Sequence, residues 1–169
     1  MAQDAWNPWQ YDKFKDQRSQ PFFDLMALLE KADKPHVVDL GCGTGALTTE
    51  LHRYLNAKET LGIDSSQAML LKAGTYEGSN LKFQLGQIEN WSPEKPVDIV
   101  FSNAALQWCD DHPKLFARIA RGIAPNGQIA VQMPMNHDYP THVLADQMSK
   151  ESRWSRLLNN ESREQDKTM

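Results

Sequence analysis

The stretch Val37-Val38-Asp39-Leu40-Gly41-Cys42-Gly43-Thr44-Gly45 decides the fold. A short apolar run, His36 to Leu40, reads as a strand and breaks into three alternating glycines. Leu47, Leu51 and Leu55 then recur every four residues, as one face of a helix does. The order is strand, glycine turn, helix, and a turn without side chains lets a ligand touch backbone. Thr60 to Ile63 makes a second strand that ends on Asp64. That acid follows Gly45 at close to the ~20-residue spacing of a ribose-binding carboxylate.

Outward from this core the alternation continues. Ser65 or Ser66 caps a helix through Met69, Leu70 and Ala73, and Leu81 to Leu85 is a third strand. Gly86 to Pro96 reads as a loop and Val97 to Ser102 as a fourth strand. His112 to Ile123 shows a helical face of Leu115, Phe116, Ile119 and Ile123. Pro125-Asn126-Gly127 then turns the chain into a fifth strand, Gln128 to Met133. Strands alternating with helices predict a doubly wound, mostly parallel α/β sheet. Upstream, Asn7-Pro8 opens a helix carrying Tyr11, Phe14 and Arg18. Ser19 caps a second helix that buries Phe22, Leu25, Met26 and Leu29, with Pro35 closing it. Downstream, a helix after Pro140 carries Val143, Leu144 and Met148, and Ser149 to Met169 reads as a solvated helix or tail of mixed charge. The expected organisation is N-terminal helices over the site (1–34), an α/β core (35–134), and a partial helix with a tail (135–169).

The 169 residues, 40% of them hydrophobic, are enough for one core. Eighteen basic against 22 acidic residues, for a net charge of -4, offer no basic stripe for nucleic acid. Apolar runs such as Ile129-Ala130-Val131 fall far short of the ~20 residues that span a bilayer. The N-terminus carries acids and aromatics where a signal peptide has a basic start, so a cytoplasmic protein is expected. Cys42 and Cys109 lie outside any disulfide or zinc spacing and are expected to be free thiols, with no metal site.

Two ligand classes compete for the glycine turn. With Ala46 it passes the loose dinucleotide pattern G-x-G-x-x-A, the mark of a nicotinamide enzyme. Asp39, two residues before the first glycine, would repel a pyrophosphate there. S-adenosylmethionine has no phosphate, carries a sulfonium and an α-ammonium for Asp39, and offers a ribose diol to Asp64. The bland alternative is a tight turn in which Asp39 merely solvates the loop.

These residues resemble the class I S-adenosylmethionine-dependent methyltransferases, whose first motif VVDLGCGTG matches and whose second-strand acid stands in LGIDSSQAML. Within that family, WNPWQYDKFKDQRSQPFFDL, FSNAALQWCDDHPKLF, QIAVQMP and PTHVL are similar to bacterial trans-aconitate 2-methyltransferases. The resemblance implies a Rossmann-like core, S-adenosylmethionine as cofactor with S-adenosylhomocysteine as product, and trans-aconitate as substrate, one of whose carboxylates is esterified to give a monomethyl ester. It places Asp39, Gly41, Gly43, Gly45, Asp64, Ser65, Gln87, Ile88 and Asn103 at the cofactor, and Tyr11, Arg18, Gln107 and Trp108 at the substrate. Two departures stand out. Gln87 occupies the position of an acid that holds the adenine amino group. The family core also continues past the fifth strand with a helix and a reversed strand pair, so the expectation is a core lacking its C-terminal strands. A methyltransferase for another small carboxylic acid, or a cofactor-binding module without turnover, are the alternatives.

The chemistry asks little of acid–base residues. A carboxylate acceptor ionises near pH ~4, so no general base is required at neutral pH. Orientation alone contributes about 7–11 kcal/mol, and no catalytic residue is assigned. Arg18 is the candidate cation for a substrate carboxylate or else a solvated charge. His112, His137 and His142 read as caps or surface residues, and Trp91 as core or as a neighbour of adenine.

Overall fold

The computed structural model describes residues 15–135 and 138–155. They fall into two compact units, one ending at Met133 and the other beginning at Pro134. In the first, α1 (Lys15–Ala27) precedes β1 (His36–Leu40), α2 (Ala46–Tyr54), β2 (Glu59–Asp64), α3 (Gln67–Ala73), β3 (Leu81–Leu85), β4 (Val97–Asn103), α4 (His112–Arg121) and β5 (Ile123–Gln132). The second holds α5 (Pro140–Lys150), where Lys150 pairs with Asp146 one turn earlier, and the four-residue α6 (Ser152–Ser155).

The five strands form one sheet in the order β3-β2-β1-β4-β5, every pairing parallel. β1 sits at the centre, with Val38 opposite Leu61 on one side and Val100 on the other. The order runs outward through β2 and β3 and then, from β4, in the other direction. That reversal beside β1 opens a crevice at the carboxyl ends of the strands.

Both faces of the sheet are covered, as a parallel sheet requires. On one face Val37, Ile99 and Phe101 pack with Phe22, Met26 and Leu29 of α1 and its exit, and with Leu51 of α2. On the other, Val38, Leu40 and Val100 pack with Trp91, Leu106, and Leu115 and Ile119 of α4. Each fully buried side chain of this size contributes about 1.5–3 kcal/mol relative to exposure.

Three boundaries differ from the sequence expectation by more than one residue. The backbone runs as one helix from Lys15 through Ser19, with Pro21 inside it, so Ser19 starts no second helix. α1 also stops at Ala27, well before Pro35, because the Gln128 amide takes both backbone groups of Glu30. It accepts from Glu30 N–H at 2.7 Å and donates to Glu30 C=O at 3.0 Å. Ile123 belongs to β5 rather than α4. Gly122 ends the helix, its carbonyl accepts from Val97 N–H at 2.9 Å, and β5 pairs from Ile123 onward. Pro125-Asn126-Gly127 then makes an interruption inside β5, since Val97 pairs with Ile123 but Ile99 pairs with Gln128. Between the two serine candidates, Ser66 is the cap of α3, accepting from Met69 N–H.

Gly45 shows why the first turn is glycine-rich. It caps α2 at φ +76°, and a Cβ there would lie 2.7 Å from Phe83 and 2.9 Å from Ala73. Gly45→Ala is expected to cost about 1–3 kcal/mol from left-handed strain and overpacking, and a lowered urea midpoint with an unchanged m-value would register it. An unaltered midpoint would remove Gly45 from the turn's steric requirement.

Candidate functional site

A cleft of about 170 Å³ opens at the carboxyl ends of β1 to β4. Each strand delivers its next residues to it: Gly41 and Gly43 after β1, Asp64 and Ser65 at the end of β2, and Gln87, Ile88 and Glu89 after β3. Asn103, Ala104, Ala105, Trp108 and Cys109 come from the end of β4 and its loop, and Met69 from α3.

The glycine loop is closed on itself. Gly41 N–H and Cys42 N–H both donate to Ile63 C=O, at 2.8 and 3.0 Å, and Gly45 N–H donates to Cys42 C=O at 3.1 Å. Gly43 N–H donates to an Asp64 carboxylate oxygen at 2.8 Å. These amides are spent inside the protein and do not make the ring of free donors that cradles a phosphate. Side-chain absence still matters. A Cβ on Gly41 would lie 2.2 Å from Ala105 Cβ, whereas one on Gly43, at φ +55°, would meet no protein atom and project into open space.

Asp64 is oriented from two sides. Its other oxygen accepts from Ser66 N–H at 2.9 Å, so the start of α3 and the glycine loop are tied to one carboxylate. The carboxylate so oriented stands on the wall of the cleft. Asp39 behaves differently. Strand alternation turns it away from the cleft into the face covered by α2, where it is 1% exposed and accepts from Thr48 Oγ1 at 2.6 Å. Burial pushes its carboxyl up to about 7, against the Thr48 hydrogen bond and with the Asp64 charge adding to the rise.

The β4 loop is built around a non-glycine residue in the left-handed region. Ala104 has φ +53°, held by its N–H to Gln132 C=O at 2.8 Å and by the Gln107 amide, which donates to Ala104 C=O at 2.8 Å. Such strain collects where a loop is shaped for a purpose. His112 secures the far end through Leu106 C=O at 2.8 Å, and Asp111 caps α4. Asn103 Oδ1 and Gln107 Oε1 are buried with no hydrogen-bond partner among the described residues. Since both are acceptors, a donor is what each lacks.

Of the residues singled out from sequence, Gly41, Gly43, Asp64, Ser65, Gln87, Ile88, Asn103 and Trp108 come together in the cleft. Asp39, Gly45 and Gln107 do not line it; they support it from behind. Tyr11 and Phe14 lie outside the described residues, as does the Arg18 side chain. Trp91 is core. Sequence reasoning missed Met69, Glu89, Ala104, Ala105 and Cys109. Glu89 stands two residues from Gln87 in the loop after the third strand, a position at which a sheet of this type places ligand contacts, so the signal was present.

The lining includes two acids, Asp64 and Glu89, and no lysine, arginine or histidine among the described residues. Its neutral polar groups include an orphaned acceptor. Such a site suits a ligand rich in donors and positive charge and opposes a pyrophosphate.

A family model described as "Methyltransferase domain" matches residues 37–127. Among similar proteins, the trans-aconitate 2-methyltransferase of Deinococcus radiodurans is 49% identical over 140 residues, 83% of this chain and 54% of that protein. The trans-aconitate 2-methyltransferase of Escherichia coli O1:K1 / APEC is 41% identical over 149 residues, 88% of this chain and 59% of that protein. An S-adenosylmethionine dependent methyltransferase from Mesorhizobium loti superposes with a TM-score of 0.60 at 25% identity, covering 66% of this chain and 52% of that one. The chain thus spans somewhat more than half the length of these relatives.

The raised Asp39 carboxyl has a sign that can be checked. Between the ordinary carboxylate value and about 7 the folded chain holds a proton that the unfolded chain has released. Stability contributed by this group is therefore largest below about pH 4 and falls as pH rises toward 7, by at most about 1.4 kcal/mol per pH unit. Urea denaturation from pH 4.5 to 7.5 should show that downward component, and Asp39→Asn should remove it. Parallel stability curves for the two proteins would contradict the assignment.

Proposed function

We propose that this chain, which belongs to the methyltransferase domain family, holds S-adenosylmethionine in the cleft and takes part in methyl transfer to one carboxylate of trans-aconitate. The observation that carries the reading is the pairing of a cleft whose described lining is acidic and without a basic side chain with a glycine loop in which the Gly41, Cys42, Gly43 and Gly45 amides are already bonded. A nicotinamide dinucleotide would find no cation in that lining and no glycine amide free for its pyrophosphate.

The cofactor, when bound, supplies an electrophilic methyl group on a sulfonium. The chain's own residues orient it. Asp64, aimed by Gly43 N–H and Ser66 N–H, accepts from the ribose hydroxyls. Asn103 Oδ1, buried and lacking a donor, accepts from the α-ammonium. The space in front of Gly43 admits the ligand against backbone. Ser65, Gln87 and Ile88 line the adenosine end, and Trp108, 68% exposed, covers the mouth beside the acceptor. Gln107 acts through the loop, since its amide N–H is committed to Ala104 C=O. Cations for a polycarboxylate are absent from the described lining, so Arg18, with Tyr11, is assigned that task from the resemblance of the N-terminal segment. The identity of the acceptor rests on the named relatives.

Isothermal calorimetry tests the cofactor reading. S-adenosylhomocysteine should bind the wild-type chain, and Asp64→Ala should weaken it by about 1.5–3 kcal/mol through loss of charge-assisted hydrogen bonds. Equal affinity for both proteins would take Asp64 out of the site. Product analysis over a panel of small carboxylic acids tests the acceptor, with trans-aconitate expected to give a monomethyl ester. Formation of ester from a different acid alone would replace trans-aconitate as substrate. With no base in the mechanism, single-turnover transfer at saturation should change little between about pH 6.5 and 8.5. A steep rise would indicate a hydroxyl or amine acceptor that must lose a proton.

A further inference from the structure

Departures from ordinary chain behaviour gather between Asn103 and Gln107, on the β4 side of the cleft. Asn103 Oδ1 and Gln107 Oε1 are buried acceptors without a donor among the described residues, and Ala104 stands at φ +53°. The left-handed region is disfavoured for alanine by roughly 5- to 30-fold against the right-handed one. An unpaired buried oxygen is a further loss. Strain and an unmet hydrogen bond in one short segment point to a shape imposed by what the segment binds. Gln107 holds that shape. Its side-chain N–H donates to Ala104 C=O at 2.8 Å, and Ala104 N–H donates to Gln132 C=O at 2.8 Å. The peptide groups on both sides of the Ala104 Cα are thus tied, which fixes the two dihedrals between them. The clamp has a firm base. Gln107 sits in the 3-10 turn Leu106–Trp108, where Leu106 is fully buried and its C=O lies 2.8 Å from His112 Nε2.

The residues on either side of Ala104 receive the benefit. Ala105 is pressed onto the glycine loop, since a Cβ on Gly41 would lie 2.2 Å from Ala105 Cβ and 3.6 Å from its Cα. Asn103 ends β4 opposite Gln132 and keeps its carboxamide oxygen inward, without a donor. Gly41, Asn103, Ala104 and Ala105 all line the cleft, whereas Gln107 does not. Release of Ala104 into the right-handed region would redirect the chain as it leaves β4 and lift Ala105 from Gly41. We infer that Gln107 is a positioning residue: by clamping Ala104 in the left-handed region it seats Ala105 on Gly41 and presents Asn103, and so sets cofactor affinity without touching the cofactor. The inference rests on the reading of this cleft as the S-adenosylmethionine site, and it gives Gln107 this role in place of contact with the substrate. Without the clamp only the fraction of chains with Ala104 left-handed is ready to bind, and the apparent Kd rises by the inverse of that fraction. Methionine at this position removes the donor and the unpaired Oε1 together, so the fold keeps its stability while the site loses its shape.

A double-mutant cycle read by calorimetry separates this role from ligand contact and from folding alone. S-adenosylhomocysteine is titrated into wild type, Gln107→Met, Ala104→Gly and the double variant, with thermal unfolding run on each. Gln107→Met should weaken binding by about 5- to 30-fold while its Tm stays close to that of wild type. Glycine enters the left-handed region at no steric cost. On the Ala104→Gly background, the same Gln107→Met change should therefore cost no more than about twofold, the scatter expected of independent sites. Equal losses on both backgrounds would mean that Gln107 acts by another route and would overturn the inference. Wild-type affinity in Gln107→Met overturns it, as does a lower stoichiometry at the wild-type Kd, the mark of a purely structural role. If Gln107→Met unfolds too readily to titrate, the double variant decides. A folded double variant within about twofold of Ala104→Gly upholds the inference, and a larger gap overturns it. All of these outcomes leave the cofactor reading intact, whereas no binding to wild type overturns both.

Discussion

The Asp64 carboxylate is the joint on which the site is hung. It closes β2, accepts from Gly43 N–H in the loop after β1, and accepts from Ser66 N–H at the entry to α3. Two segments far apart in sequence are thereby fixed at one end of the sheet. The same loop is drawn onto β2 by Gly41 and Cys42 N–H, which share Ile63 C=O. Because its amides are spent in this way, the loop offers a ligand shape and closeness rather than donors. Only residues without side chains tolerate that geometry, as the 2.2 Å approach of a Gly41 Cβ to Ala105 shows.

Charge completes the selection. A cleft with Asp64 and Glu89 on its wall and no basic side chain in its described lining carries a negative field that favours cations and opposes phosphates. The orphaned Asn103 Oδ1 points the same way, since only a donor satisfies it. Binding of a sulfonium donor suits this kind of wall, where orientation and electrostatics meet its positive charge. The strained Ala104 and the Gln107 bond that holds it shape the β4 side of the cleft.

Much of this was legible in the chain. The five strands of the sheet follow from apolar runs, and β1 and β3 have the bounds read from sequence, because a buried strand between polar turns has few alternatives. The misplacements have one cause in common. Ser19, Pro35 and Ile123 carry local signals that long-range bonds override: packing of Phe22 and Met26 carries α1 through Ser19, Gln128 captures Glu30, and Val97 captures Gly122 and Ile123.

By itself, the sequence determined the alternation of strands and helices, the glycine turn and the acid at the end of β2, because periodicity and glycine's conformational freedom act over a few residues. The side chains that finish the cleft were decided by tertiary structure alone. Whether Asp39 faces ligand or Thr48, and whether Gln107 faces substrate or Ala104, both depend on which strand ends lie side by side. That adjacency comes from the sheet order β3-β2-β1-β4-β5, in which β1 neighbours a strand about sixty residues away as closely as one about twenty away, and no local pattern encodes it.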